Sequence, residues 1–545
     1  MVQKPQLGIL GNSSNTLKTM EMRKIKYLIG AFTTILALLL TLSVAAQNLR
    51  EVRSPLEIEY MKANSLWFQT GNSAGLPFDN LAKFSQLQAT YNITNGDYKF
   101  VQQGDKENTL GVVAEGGQQL GKGYGWGSFS YNNITVRDSR FNTAMLNPFR
   151  GVPYYPVDPN ISDWKRQDYN LGMKVASRPL IDNLKHKLIL GLGATYIAET
   201  GAKQIDPRSE VYNYSINVKP SIAYSICSHI IGLNFEYENM YQETRKHTNS
   251  DNQSNQNVYV LRGLGYNYGS VIGGLQSLGG FHYQSHKVGA EAQYAYDFIP
   301  VRVIVSGGGS LRGESVVRDI SKPRKEGSIK ELILYANSTL LWGESNLNRI
   351  VASYNRSDID GIEFVQVLDT QYEVQQWVDL YSSIRSNYRQ DDIALSYDYY
   401  RGKSASYKWM GSVAANYRKS DDIYYLPLSN REVTNLYGTV AAKANLVQST
   451  KGYFNLGVDF TYKHNLSGEY NYNGPDPTSP VIQELFIPDL EYQKNSYYKV
   501  GASVALYSLL GKRIGGQLSA NIDYYKPVDL STHRLFSTFG LTFTF

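Results

Sequence analysis

Gly71-Asn72-Ser73-Ala74-Gly75 has the G-x-S-x-G spacing of a hydrolase nucleophile elbow. That chemistry needs a strand before the serine and a helix after it, so that a strained turn lifts the hydroxyl toward a histidine base. Here a helical pattern precedes the motif and Leu76-Pro77 follows it, so a flexible turn is the better reading. Gly123-Tyr124-Gly125-Trp126-Gly127 and Ser306-Gly307-Gly308-Gly309-Ser310 are glycine-rich. A phosphate loop requires a following helix whose amides face the anion. Both segments lie in strand-like sequence, where close packing or barrel curvature explains the glycines better. His282 and His286 would share a metal on a helix, but on a strand their Cα atoms are roughly 13 Å apart. The pairs Asp391-Asp392 and Asp421-Asp422 face opposite sides if extended, and solvated turns are expected there rather than acid–base dyads. No catalytic, cofactor-binding or metal-ligating residue is assigned, and an enzyme is not expected.

A different set of charges recurs at alternate positions within long runs. The acids are Glu236, Glu238, Glu291, Asp297, Asp398, Asp459 and Asp523, and the bases Lys287, Arg418, Lys463 and Arg513. If these runs are strands of a closed barrel, these residues face the lumen, with a weak bias toward a cation-tolerant interior. They either line a channel or pair across a plugged one.

The elements that would position them are strands. Ile231, Leu233, Phe235 and Tyr237 alternate with Asn234, Glu236 and Glu238, and Phe454, Leu456, Val458, Phe460 and Tyr462 with Asn455, Asp459 and Lys463. Successive strand residues point to opposite faces, so each run has one apolar and one polar side. Many runs reach about 10–15 residues, beyond an ordinary strand and enough to cross a bilayer at a tilt. Tyrosines such as Tyr237, Tyr294, Tyr399 and Tyr524 recur at their ends, as at a water–lipid boundary. An excess of 44 Tyr over 19 Phe and 6 Trp fits such girdles. Short connections (Ser225–His229, Phe298–Val301) alternate with long ones (Asn133–Asp163, Glu243–Phe281, Ser467–Lys494).

The fold class is all-β: a transmembrane antiparallel barrel of about 18 strands, within a range of 16–20, with a short N-terminal helical extension. An even count follows from both termini being periplasmic. It requires Tyr98–Leu120 to be one bulged strand, Ile362–Leu368 an extra descending strand, and Tyr424-Tyr425-Leu426-Pro427 an outer loop. Mean hydropathy of −0.36 argues against a helical membrane bundle, and the single Cys against disulfide or Cys-based metal scaffolds.

Residues 1–46 read as a signal peptide: basic Arg23, Lys24 and Lys26, apolar Tyr27–Leu42, then Val44-Ala45-Ala46. Met22 is a candidate true start. The leader's five bases and one acid account for four of the six net positive charges, leaving +2, and no nucleic-acid partner is expected. Residues 47–80 form a periplasmic or lumenal extension, and 81–545 the barrel. In the extension, Ser54-Pro55-Leu56-Glu57 predicts a capping box, and Leu56, Tyr60, Ala63 and Trp67 a helical stripe over 55–67. Asn249–Asn257 reads as a polar loop tip. Gly269–Gly280 either folds inward as a constriction or packs above the barrel.

The last strand carries Phe539, Leu541, Phe543 and Phe545 on one face and Thr538, Gly540, Thr542 and Thr544 on the other. This resembles the closing strand of Gram-negative outer-membrane barrels, whose terminal aromatic is read by the barrel-assembly machinery. With Gly151-Val152-Pro153-Tyr154-Tyr155, Asp206-Pro207-Arg208 and Tyr424-Tyr425-Leu426-Pro427, the chain resembles uncharacterised outer-membrane barrels of Bacteroidota-type bacteria. It does not closely resemble TonB-dependent receptors, whose large N-terminal plug domain has no room in the roughly 35 residues before the first strand. The resemblance implies an outer-membrane location and lipid contact, and carries over no functional residues. The expected function is a channel or facilitator for small polar solutes. The alternative is a non-conducting docking barrel for a surface lipoprotein or secretion complex, and an outer-membrane hydrolase comes last.

Overall fold

The computed structural model describes residues 52–183, 185–248, 255–273, 279–319, 322–371, 375–403, 405–449 and 451–545. The signal-peptide segment and the tips at 249–254 and 274–278 lie outside them. Eighteen barrel strands run among the described residues: β1 (Phe84–Asn95), β2 (Lys106–Leu120), β3 (Gly123–Ser139), β4 (Ser162–Ala176), β5 (His186–Lys203), β6 (Arg208–Ile226), β7 (His229–Thr248), β8 (Phe281–Phe298), β9 (Val301–Arg318), β10 (Arg324–Trp342), β11 (Asn346–Asp369), β12 (Gln376–Lys403), β13 (Ser406–Tyr425), β14 (Leu428–Gln448), β15 (Gly452–Asn471), β16 (Tyr497–Leu509), β17 (Gly515–Pro527) and β18 (Arg534–Thr544). Each pairs antiparallel with the next, and β1 closes on β18 from Gln86↔Thr544 to Asn95↔Leu535. Closure leaves no open edge in a solvent that cannot hydrogen-bond it.

Register turns the sequence alternation into two surfaces. Between β7 and β8, Leu233↔Ala292 and Tyr237↔Val288 face out, while Glu236↔Gly289 and Glu238↔Lys287 face in. Outward side chains such as Phe235, Val288, Val413 and Val458 are exposed and form the apolar band of an outer-membrane protein. No described helix is long and apolar enough to cross a membrane. Several tyrosines at the band's margins take a histidine on the neighbouring strand: Tyr224–His186, Tyr294–His229 and Tyr241–His282, at 2.8–2.9 Å.

Three local expectations are corrected. Tyr98–Leu120 is not one strand, because Gly96 at φ +129° opens an outer turn and β2 begins only at Lys106. Ile362–Leu368 is no separate strand; it continues β11 upward, and β12 descends from Gln376 beside it. Tyr424 and Tyr425 end β13, so the outer connection there is only Leu426-Pro427. The tyrosine excess is also not only a girdle. Tyr124, Tyr154, Tyr283, Tyr407 and Tyr507 are fully buried inside.

Two closures fill the lumen. At the periplasmic end, residues 52–83 enter the barrel. Helix α1 (Pro55–Ala63) starts on the capping box, Ser54 Oγ accepting from Glu57 N–H and Glu57 accepting from Ser54 N–H. It stops short of residue 67 because the N–H groups of Leu66, Trp67 and Phe68 are bound instead by the Asp79 carboxylate at 2.7–3.1 Å. A 3-10 turn (Ser73–Asp79) completes the segment. At the outer mouth, the loop at residues 140–161 and the hairpin Asn255–Gly263/Tyr266–Gly273 fold inward and pair through Pro156-Val157. Helix α2 (Ile487–Lys494) lies beside them. Residues 269–273 of the glycine-rich segment thus belong to an inward-folded strand.

Candidate functional site

The lower closure is an apolar collar. Leu56, Ala63, Leu66, Trp67 and Ala74 pack against Ala176, Ile189, Ala223, Ile230, Ala295, Ile304, Leu341, Leu347, Tyr400, Tyr407, Tyr453 and Tyr507, drawn from most of the barrel's circumference. Trp67 is fully buried, and a Cβ on Gly75 would lie 2.1 Å from its ring. Polar clips hold the segment at its rim. Lys62 pairs with Glu115 at 2.7 Å and Glu59 with Lys443 at 2.7 Å. Lys174 donates to the Phe68 and Thr70 carbonyls, and Asn72 to Gln293. Burial raises the Asp79 carboxyl to about 6 against the pull of its three N–H donors.

Ser73 sits in this closure, fully buried, its Oγ without a hydrogen-bond partner among the described residues. It opens a 3-10 turn packed against Gly191 and Gly193 of β5, which is not the strand–turn–helix setting of an elbow. Glycines 307–309 lie in β9, where a Cβ on Gly308 would meet the Ala290 carbonyl at 2.6 Å. Asp391 and Asp392 sit within β12, not in a turn, and bond in different directions, to Tyr354 and Arg418. Asp421-Asp422 likewise lie within β13, with Asp422 held by Arg431.

The charged residues at alternate positions fall in separate places. Glu236 and Glu238 meet Lys287 at 2.8 and 3.0 Å on the inner wall. Asp459 and Asp523 share Lys499. Glu291 abuts Gly71 of the lower closure, and Asp297 lies opposite Arg302 near the periplasmic rim. Arg513 is exposed in the β16–β17 turn, off any strand. Of these charged positions, Arg418 and Lys463 line one broad cavity.

That cavity, of about 930 Å³, lies in the lumen under the outer closure, between α2, the loop at residues 140–161 and the inner wall of β10–β16. It falls within the usual range of small-molecule sites, about 300–1,000 Å³. Phe100, Phe149, Tyr388, Tyr437, Tyr492 and Tyr497 supply rings, and Gln390, Asn416, Asn435, Thr439, Thr461 and Gln493 amides and hydroxyls. Arg431 forks onto Asp422 at 2.6 and 3.0 Å, and Arg150 onto Glu314 at 2.6 and 2.8 Å. On α2, Asp489 accepts the Val101 N–H at 2.8 Å, and burial raises its carboxyl to about 6. Burial also pushes the Tyr155 and Tyr492 hydroxyls up to about 12, so both stay protonated.

Sequence reasoning missed Tyr437 and Tyr497, although both share strand parity with polar neighbours: Asn435 and Thr439 for one, Lys499 for the other. A ring on the polar parity was the available signal of an aromatic inner wall.

The chain belongs to a family of unknown function (DUF6850), whose model matches residues 73–545. No curated protein matches it. Among solved structures it is similar to BauA, the ferric preacinetobactin receptor from Acinetobacter baumannii (9% identity, 85% of this chain and 80% of that one, TM-score 0.35). It is also similar to the ferric citrate transporter FecA (7%, 85% and 78%, TM-score 0.37) and to the outer membrane transporter YddB from Escherichia coli (8%, 85% and 81%, TM-score 0.36).

Proposed function

We propose that this member of the family is a gated outer-membrane passage for small polar solutes. The observation that carries the reading is a solute-sized cavity held inside one barrel between two closures of the chain's own making. Solutes enter from the outer face beside α2, rest in the cavity, and leave when residues 52–83 shift from the collar. The clips around that segment are separate side-chain contacts rather than a continuous backbone ladder, so its displacement is less costly than opening the barrel wall. Planar-bilayer recording of the refolded protein tests this. Rare openings are expected for the full chain and steady conductance after deletion of residues 47–80. A deleted barrel that never conducts would end the passage reading.

One observation favours a docking role as the second reading. Above the rim, Glu363–Asp369 of β11 pairs only with β12, and residues 376–385 of β12 only with β11. This projecting hairpin exposes Val365, Leu380 and Tyr381 and two open edges, the form on which a surface lipoprotein could add a strand. A lipoprotein that co-purifies with the intact chain and is lost when the hairpin is trimmed would establish it.

A further inference from the structure

We propose that the cavity is a binding site for a sugar carrying a single carboxylate, held on a row of side chains centred on Lys463. This rests on reading the cavity as a solute station and names the solute class that it takes.

Four arginines line the cavity, and each is paired with a carboxylate: Arg150 with Glu314, Arg389 with Asp358 (which Arg356 shares), Arg418 with Asp392 and Arg431 with Asp422. Lys463 differs. It is 3% exposed, and its ammonium donates to the neutral carbonyl of Gln493 at 2.5 Å, with no carboxylate partner among the described residues. Of the lining acids, Glu331 belongs to Arg312 and Asp422 to Arg431. Asp489 is turned to the Val101 N–H in the field of Arg431 and Lys99. A buried cation without a counter-ion is costly, and a ligand carboxylate would supply one. An ammonium has three donors, and Gln493 uses one.

Register supplies the rest of the site. Asn416↔Tyr437, Tyr437↔Lys463 and Lys463↔Tyr497 are successive cross-strand pairs, so four strands lay Asn416, Tyr437, Lys463 and Tyr497 in one row on the inner wall. The ammonium is 5.5 Å from the centre of the Tyr497 ring. Thr439 and Thr461 bond each other on the row below, and Asn435 lies on the row above. A cation beside the Tyr497 ring, paired across the strands with Tyr437 and rimmed by amides and hydroxyls, matches a pyranose acid. The apolar face of the sugar ring lies on tyrosine, its hydroxyls meet Asn and Thr, and its carboxylate meets Lys463.

Isothermal titration of the full-length refolded barrel with D-glucuronate and with D-glucose tests the assignment. Glucuronate is expected to bind about ten-fold or more tighter than glucose, the scale of one charge-assisted hydrogen bond. Lys463→Met should erase that preference, Lys463→Arg should keep most of it, and Tyr437→Ala should weaken both sugars alike. Heat-modifiable gel mobility checks that each variant is still a closed barrel. Equal binding of the two sugars, or an undiminished preference in a folded Lys463→Met barrel, would overturn the site. Flux through the plug-deleted barrel without a glucuronate preference sinks the site and leaves the passage. Glucuronate binding with no flux sinks the passage and leaves the site.

Discussion

The ammonium of Lys62, on α1, lies 2.7 Å from both carboxylate oxygens of Glu115, on β2. The same carboxylate accepts the Trp126 indole N–H and the Gln86 amide, so the acid is fixed to the wall before the helix reaches it. The N-terminal segment is therefore clipped to a preset anchor. Glu115→Ala is expected to loosen the closure by about 1 kcal/mol, because the pair is partly solvated, a factor of roughly five in the closed-to-open ratio. Open probability in planar bilayers measures it, and no change would place the hold elsewhere.

Trp67 gives a larger effect. It is fully buried at the centre of the collar, so Trp67→Ala leaves a hole worth about 3–5 kcal/mol of docking free energy. Gly75→Leu should act similarly, by driving the indole from its place. Both variants should conduct continuously, and a closed recording from either would show that the collar does not depend on this ring.

Asp79 makes the closure pH-dependent. Its carboxyl is raised to about 6 in the docked segment against 3.8 free, so the docked form holds more protons between those values. The sign follows: docking is favoured below about pH 4 and that contribution is lost as pH rises through 6. Amide exchange at Leu66, Trp67 and Phe68, corrected for intrinsic base catalysis, should show less protection at pH 7 than at pH 5. Asp79→Asn should flatten the difference; an unchanged slope would assign it to another group.

The outer closure hangs on a buried pair. Asp158, in the loop at residues 140–161, lies 2.9 Å from the Lys203 ammonium, and both are almost fully buried. Asp158→Ala leaves that buried cation with only the Ile205 and Pro207 carbonyls and no paired carboxylate, at a cost of about 3–5 kcal/mol. Faster proteolysis within the loop, with the barrel still closed on gels, is the expected result.

Phe545 tests the reading of the last strand as an assembly signal. Its ring is about half exposed, so it contributes little packing. Deleting it should sharply lower the amount of barrel in the outer membrane and barely change refolding in detergent micelles. Equal losses in both would make its role structural.

Much of this architecture is legible in the alternation. The two faces of β7 or β15, the short periplasmic turns and the capping box at Ser54 are all local patterns. The site is less so, because it is made by register. Nothing in the sequence near Tyr437 says that it will stand between Asn416 and Lys463; that depends on the Leu426-Pro427 turn, the short link from β14 to β15 and the slip at Asn445/Val447. The end of α1 was hidden for a similar reason, since the acid that takes its N–H groups lies more than ten residues on. Ile362–Leu368 reads as a separate strand because β11 and β12 outrun their neighbours, and length alone does not mark where a membrane ends.

The seam between β1 and β18 also sets an order in time. Gln86 pairs with Glu115 on one side, but on its other side only Thr544 completes it, so that edge of the first strand must wait for the last. Until then the sheet has two raw edges, and there is no lumen for Leu56, Trp67 and Leu76 to occupy. Those side chains stay uncovered from synthesis until the wall closes around them, a period in which holding factors must shield them or they aggregate. A segment that precedes the whole wall in the chain is thus the last to reach its place, and an error anywhere along the wall leaves it without one.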